Sequence, residues 1–321
     1  VTTPAPEAPP PSSPLTFILR LIFGIAVLAF VLSRIDFSTV TLVIGPRLIG
    51  GVALATLLLL VGQVVAALRW KTVWGEGSPD WMYLSRLYLI GGFFSLFLPT
   101  SVGGDAVRAA AATQASGRPG AVVASVLLDR FLGTIALFVY GIVGLLLAPA
   151  FAERLLTSAQ VQLSSRTMAL AAVAGVLLLA VIVILARRST RVRAMVSDGI
   201  ASILTLARTP KALLLALGLA FLVQAIYLVL WLVLALSVQL PIPAGTLLVT
   251  VPIVTAAAML PITLSGIGVR EAAWVLLLSG SGVPQGLIVS FSLLYLVANL
   301  VVGVVGGLLF MARGTRPPAT I

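Results

Sequence analysis

The chain has 321 residues, 60% of them hydrophobic and only 9% charged, with 20 Lys and Arg against 9 Asp and Glu. Soluble domains carry about 25% charged residues, so this composition excludes an ordinary soluble fold; several apolar runs reach the roughly 20 residues that cross a bilayer. Neither Cys nor His is present, which removes disulfides, thiol chemistry, Cys-ligated metals and the commonest general base.

The formal charge of +11 reads as membrane topology rather than as a nucleic-acid surface, because cytoplasmic loops collect Lys and Arg. Residues 1–14 hold six Pro and read as a disordered tail. They lack the basic start of a cleavable signal, so a first spanning helix is expected over 15–32. Further apolar runs follow at 48–68, 83–98 and 121–148, which complete a first membrane repeat over 15–150. A second repeat over 151–312 holds the runs 168–186, 212–236, 247–260, 272–278 and 285–311, and 313–321 is a short polar tail.

The segment 187–211 carries Arg187, Arg188, Arg191, Arg193, Arg208 and Lys211 and is placed in the cytoplasm. Within it Val192, Met195, Val196, Ile200, Ile203 and Leu204 share one helical face. That pattern fits a helix lying on the inner leaflet, or else a basic connector.

Working outward from that loop, 168–186 enters from outside and 121–148 leaves towards it. The stretch 83–114 must then begin and end inside, yet its first arm is only 16 residues long, about 24 Å at 1.5 Å per residue. It reads as a re-entrant hairpin with its tip at 99–104. By the same argument 247–278 begins and ends outside, with its tip at 261–266. The expected fold is an all-α polytopic membrane protein built as an inverted repeat, each half three spanning helices plus one re-entrant hairpin. Both termini are expected in the cytoplasm and the chain in the plasma membrane.

The two tips support this repeat. Leu98-Pro99-Thr100-Ser101-Val102-Gly103-Gly104-Asp105-Ala106-Val107-Arg108 aligns without a gap on Leu260-Pro261-Ile262-Thr263-Leu264-Ser265-Gly266-Ile267-Gly268-Val269-Arg270. Gln63 and Trp70 likewise match Gln224 and Trp231. Internal repeats with interrupted helices point to a shared site near the bilayer midplane.

At each tip Pro ends the first arm, and Gly103 and Gly104, or Gly266 and Gly268, permit the reversal. Asp105 and Ser265 are placed to cap the second arm. A helix N-terminus at membrane depth suits an anion such as phosphate, and Arg108 and Arg270 follow about one turn later. Asp129 and Arg130 fall inside the run 121–148, and Glu271 adjoins Arg270. Ionisable groups there cost roughly 2.5–3.5 kcal/mol each on insertion scales. Three arginines (108, 130, 270) face three carboxylates (Asp105, Asp129, Glu271), so three uses fit: a structural lock between helices, a headgroup site, or proton carriage.

Gly303 and Gly307 form a small-residue pair for close helix packing. Trp70, Trp74 and Trp81 are expected in the aromatic belt. Gln63 and Gln224 suit either a polar path or interhelical hydrogen bonds. No phosphate-binding loop, dinucleotide fingerprint, nucleophile elbow or metal-ligand spacing occurs, so no enzyme, cofactor or metal is expected.

At the tips and the Asp-Arg pair the sequence resembles the lysylphosphatidylglycerol synthase transmembrane, or flippase-like domain, family. The residues that carry the likeness are Leu98-Pro99 through Gly103-Gly104-Asp105 to Arg108, Ser125-Val126-Leu127-Leu128-Asp129-Arg130, and Leu260-Pro261 through Gly266-Ile267-Gly268 to Glu271. It spans roughly 15–311. The family's acidic-Arg pair is commonly Glu-Arg; Asp129 shortens that arm and keeps its charge. The synthases add a soluble aminoacyl-transferase domain, for which the residues after Met311 leave no room. The resemblance therefore implies lipid translocation without lipid aminoacylation.

The expected activity is movement of an anionic phospholipid or lipid-linked phosphate between leaflets. A non-catalytic scaffold or subunit of envelope lipid or glycan synthesis, and a small-solute secondary transporter, are the alternatives. Expected partners are membrane lipids of anionic character, envelope-synthesis enzymes and further copies of the chain, and not nucleic acid.

Overall fold

The computed structural model describes residues 45–96, 103–158, 190–259 and 266–315. The expected spans 15–32 and 168–186, the tail 1–14 and the outermost tip residues lie outside the described residues. Those described form ten helices and no strand. In chain order they are α1 (Pro46–Trp74), α2 (Trp81–Ser95), α3 (Gly103–Ser116), α4 (Pro119–Leu147), α5 (Pro149–Ser158), α6 (Thr190–Ala207), α7 (Pro210–Ser237), α8 (Ala244–Ala258), α9 (Val269–Leu278) and α10 (Gln285–Arg313).

Local chemistry sets several of the boundaries. Pro46, Pro119 and Pro210 open α1, α4 and α7, where a missing N–H costs nothing because first-turn donors have no helical partner. Asp80 caps α2 by accepting the Met82 N–H at 2.9 Å.

Four helices, α1, α4, α7 and α10, are long and apolar enough to cross a membrane, at 28–29 residues each. At 1.5 Å per residue each exceeds the roughly 30 Å hydrocarbon core. By contrast α2, α3, α8 and α9 have 15, 14, 15 and 10 residues, each below the roughly 20 residues of a crossing. Within the described residues the expected runs are present as helices, with α1 extending further than expected, through Arg69 to Trp74.

Packing among these eight helices has an internal correspondence. Exchanging α1 with α7, α2 with α8, α3 with α9 and α4 with α10 maps every packed pair onto another packed pair. Thus α2 lies on α10 as α8 lies on α4, α3 on α4 as α9 on α10, and α1 meets α7 across the centre. Close approaches use small residues: Leu96, just past α2, and Phe93 of α2 lie against Gly303 and Gly307 of α10, the role expected of that glycine pair, and Leu89 lies against Gly306 between them.

The two halves are filled differently. Trp231, Trp274 and Phe291 form an aromatic core with Leu230 and Leu234, ring centroids lying 5.0–5.1 Å apart. On the other side Trp70, Trp74, Leu84, Leu87, Ala112 and Val122 pack together. This corrects one expectation. Trp70 is fully buried and Trp74 nearly so, so they fill the space between helices instead of anchoring an interface; a Trp in an apolar run serves either purpose equally well by composition.

The helix expected over the Arg-rich segment is present as α6 and packs on α4 and α7. Leu206 is buried there, while Ile200, Ile203 and Leu204 are exposed.

Candidate functional site

The α1 helix delivers Arg69 to the centre of the bundle, where its Nε donates to Asp129 Oδ1 of α4 at 2.6 Å. Asp129 is fully buried. Its other oxygen accepts from Arg108 Nη2 of α3 at 3.1 Å and from the Tyr88 hydroxyl of α2. Arg108 Nε in turn donates to Asp105 Oδ1 at 2.8 Å, and Asp105 Oδ2 accepts from Arg130 Nε. One continuous ion-pair chain therefore links α1, α3 and α4: Arg69, Asp129, Arg108, Asp105, Arg130. Burying such charges is tolerated only when pairing and hydrogen bonds are near complete, as they are for both carboxylates.

Aromatic rings complete the setting. The Arg108 guanidinium lies 4.1 Å from the Tyr88 ring centroid and 4.6 Å from that of Trp70, and Trp70 Nε1 is fixed by Ser125 Oγ at 2.9 Å. In the other half Arg270 stands 4.6 Å over Tyr295, which stacks on Trp231 at 4.7 Å. Matched arginines thus rest on aromatic faces in both halves, where the ring quadrupole favours a cation.

These groups border a cavity of about 290 Å³. Its walls come from α1, α2, α3, α4, α7, α8, α9 and α10, with Gly104, Asp105, Arg108, Asp129, Arg130 and Arg270 among the lining residues. Gly103, Gly266, Gly268 and Glu271 are not among them. Four arginines (69, 108, 130, 270) against two aspartates (105, 129) line it, an excess of two positive charges. Such an excess favours an anion, the more so because the surrounding apolar helices strengthen charge interactions relative to bulk water.

In this wall Arg108 Nη1 and Gln63 Oε1 are buried without a hydrogen-bond partner. Gln224, the match of Gln63, donates from Nε2 to the Gly133 carbonyl at 3.0 Å and so makes the interhelical bond expected of it.

The helix starts differ from expectation. Asp105 does not cap α3, which already includes Gly103 and Gly104; its carboxylate turns to Arg108 and Arg130 instead. Ser265 lies outside the described residues. At α9 the N-cap is Gly268, with φ of 85°, and its N–H donates to the Glu271 carboxylate at 2.6 Å. Glu271 also accepts from Ser292 Oγ at 2.7 Å.

Three further residues belong to the site. Arg69 closes a long apolar run and looks from sequence like an interfacial flank. Tyr88 and Tyr295 look like lipid-facing aromatics; only their spacing from the tip arginines in space reveals them.

The sequence model of the family described as "Lysylphosphatidylglycerol synthase TM region" matches residues 17–307. The chain belongs to that family. The match runs from before α1 into the last turns of α10, so the whole cavity lies inside the family's membrane region. It is an integral membrane protein. No curated protein and no solved structure is matched by the chain.

Proposed function

We propose that this protein carries an anionic phospholipid, or a lipid-linked phosphate, from one leaflet of the plasma membrane to the other. One observation carries the proposal: a cavity in the middle of an apolar bundle, shared by both sets of corresponding helices, holds four arginines against two aspartates. Arg108, Arg130 and Arg270 hold the phosphate, by charge-assisted hydrogen bonds of the kind guanidinium groups make with phosphate oxygens. Gly103, Gly104, Gly266 and Gly268 keep the helix starts slim enough for the headgroup to approach. The acyl chains stay in lipid while the headgroup crosses.

In this account α2–α3 and α8–α9 are re-entrant hairpins and the two halves are an inverted repeat, with both termini cytoplasmic. The short lengths of these four helices and the exchange correspondence of the packing support it. Rocking of one half against the other opens the cavity to each leaflet alternately. No covalent step is assigned, so the protein is a transporter and not an enzyme. Its partners are the lipids themselves and enzymes of envelope synthesis that supply or consume them, with self-association left to the same membrane.

A purely structural role for the charges is favoured by one fact, the saturation of Asp105 and Asp129 by arginines. It accounts for those carboxylates as ion-pair partners rather than proton carriers. It does not account for the two positive charges in excess.

The test is leaflet exchange of a tail-labelled anionic phospholipid in vesicles reconstituted with the purified chain. Exchange above protein-free vesicles, lost in Arg270→Ala while the variant remains folded, supports the proposal. Equal exchange in wild type, variant and empty vesicles rejects it.

A further inference from the structure

A second cavity, of about 410 Å³, lies between α4 and α6, on a face of α4 away from Asp129 and Arg130. Val123, Leu127 and Phe131 form one wall, Ile200 and Ile203 the other. No polar side chain lines it among the described residues. All five wall residues are exposed, so the cavity is a furrow open to the surrounding membrane. The helices meet at its base, where a Cβ added to Gly199 would lie 3.3 Å from that of Ala124.

The shape of the furrow limits what can fill it. It follows α4 over residues 120–131, about 16 Å at 1.5 Å per residue. Spread over that length, its volume of about 410 Å³ leaves a cross-section of about 25 Å², against roughly 80 Å² for a helix about 10 Å across. A single extended hydrocarbon chain fits; a helix does not.

Charge marks one end. Along α4, α6 runs from Gly199, beside Gly120 and Ala124, to Leu206, which packs in one cluster with Leu132 and Ala136. Arg193 precedes Ile200 by seven residues, so it shares that stripe about 10 Å further along, beyond the Gly120 end. Arg118, two residues ahead of Gly120, borders the same end with its Nη1 beside Gly77 of the α1–α2 turn. Both arginines are exposed, and Asp198 is the one acidic residue of α6.

An acyl chain gains little by leaving lipid for apolar walls, because lipid tails are equally apolar. Selection therefore falls to the headgroup, for which each basic side chain nearby is worth roughly fivefold in binding when the headgroup is anionic. We infer that the furrow is a binding site for one anionic phospholipid of the leaflet beside α6. One acyl chain lies between α4 and α6, and Arg118 and Arg193 hold the phosphate. This site is separate from the central cavity and does not depend on the transport reading; its lipid is held, not carried.

The test places the full-length protein in phosphatidylcholine nanodiscs with a trace of phosphatidylglycerol bearing a photoreactive group at mid-chain. Phosphatidylcholine with the same labelled chain is the comparison, and cross-linked residues are mapped by mass spectrometry. Phosphatidylglycerol is expected to label the furrow walls roughly tenfold more than phosphatidylcholine. Arg118→Gln combined with Arg193→Gln should bring the two lipids to within about twofold. Ile200→Trp, at a position already exposed, fills the furrow and should abolish labelling of Leu127 and Phe131 with an unchanged unfolding midpoint. Equal labelling by both lipids in the wild type, or a preference that survives loss of both arginines, overturns the inference. Walls that neither lipid labels overturn it as well, since another occupant then covers them.

Discussion

Arg69 and Asp129, sixty residues apart in sequence, meet at 2.6 Å in a place almost closed to solvent. By the offset that matches Gln63 and Trp70 to Gln224 and Trp231, the position matching Arg69 is Leu230, in the aromatic core. The same position in the architecture is thus an ion pair in one half and a hydrocarbon contact in the other. Charge here serves something that packing alone does not need.

Removing one member should be severe. Asp129→Asn leaves Arg69 and Arg108 short of their counter-ion, and breaking a buried pair costs about 3–5 kcal/mol. Thermal unfolding in detergent should show a large drop in midpoint. Adding Arg69→Met to Asp129→Asn should recover part of it, since the uncompensated cation is then gone; no recovery contradicts the pairing.

Arg108 and Arg130 should separate stability from transport. Arg108 is buried among Asp105, Asp129 and two rings, whereas Arg130 is partly open to the cavity. Arg108→Ala is expected to lower both stability and exchange. Arg130→Gln should keep stability within about 1 kcal/mol, as partly exposed pairs contribute little, and still reduce exchange of the anionic lipid.

The contact between α2 and α3 leaves no space for a methyl group. A Cβ added to Gly91 would lie 2.9 Å from the Gly104 carbonyl oxygen, and one added to Gly104 would collide with Gly91 and Ser95. Gly104→Ala is therefore expected to cost about 1–3 kcal/mol through overpacking, read as a shift in the unfolding midpoint. An unaltered midpoint would show that the two arms are not held this close.

Glu271 tests the role of the carboxylates. It caps α9 and accepts from Ser292, so Glu271→Ala should lose about 0.5–2 kcal/mol. Glu271→Gln, which keeps an acceptor oxygen, should preserve leaflet exchange. Abolished exchange in the folded Gln variant would assign proton carriage to this group.

Much of this was legible beforehand. Apolar runs gave α4, α7 and α10 to within two residues, and α1 except for its last six, because burial in lipid demands an unbroken apolar stretch. Pro and Gly marked the interruptions, and Arg108, Asp129, Arg130 and Arg270 stood out as charges in hydrocarbon. Arg69 did not, since a cation at the end of a run reads as an interfacial flank; only the long reach of α1 to Trp74 places it inside. Nor could Trp70 be assigned, because lipid and a neighbouring helix reward an indole alike. The pairing of Asp105 with two arginines depends on α3 and α4 meeting at one height, which no local pattern encodes.

The most direct measurement is a structure of the protein in lipid nanodiscs containing phosphatidylglycerol, with the headgroup located. The account predicts phosphate density in the cavity with an oxygen roughly 3 Å from Arg108 Nη1, on the side facing Arg270. Headgroups confined to the membrane surfaces, with the cavity closed or filled by acyl chains alone, would contradict it.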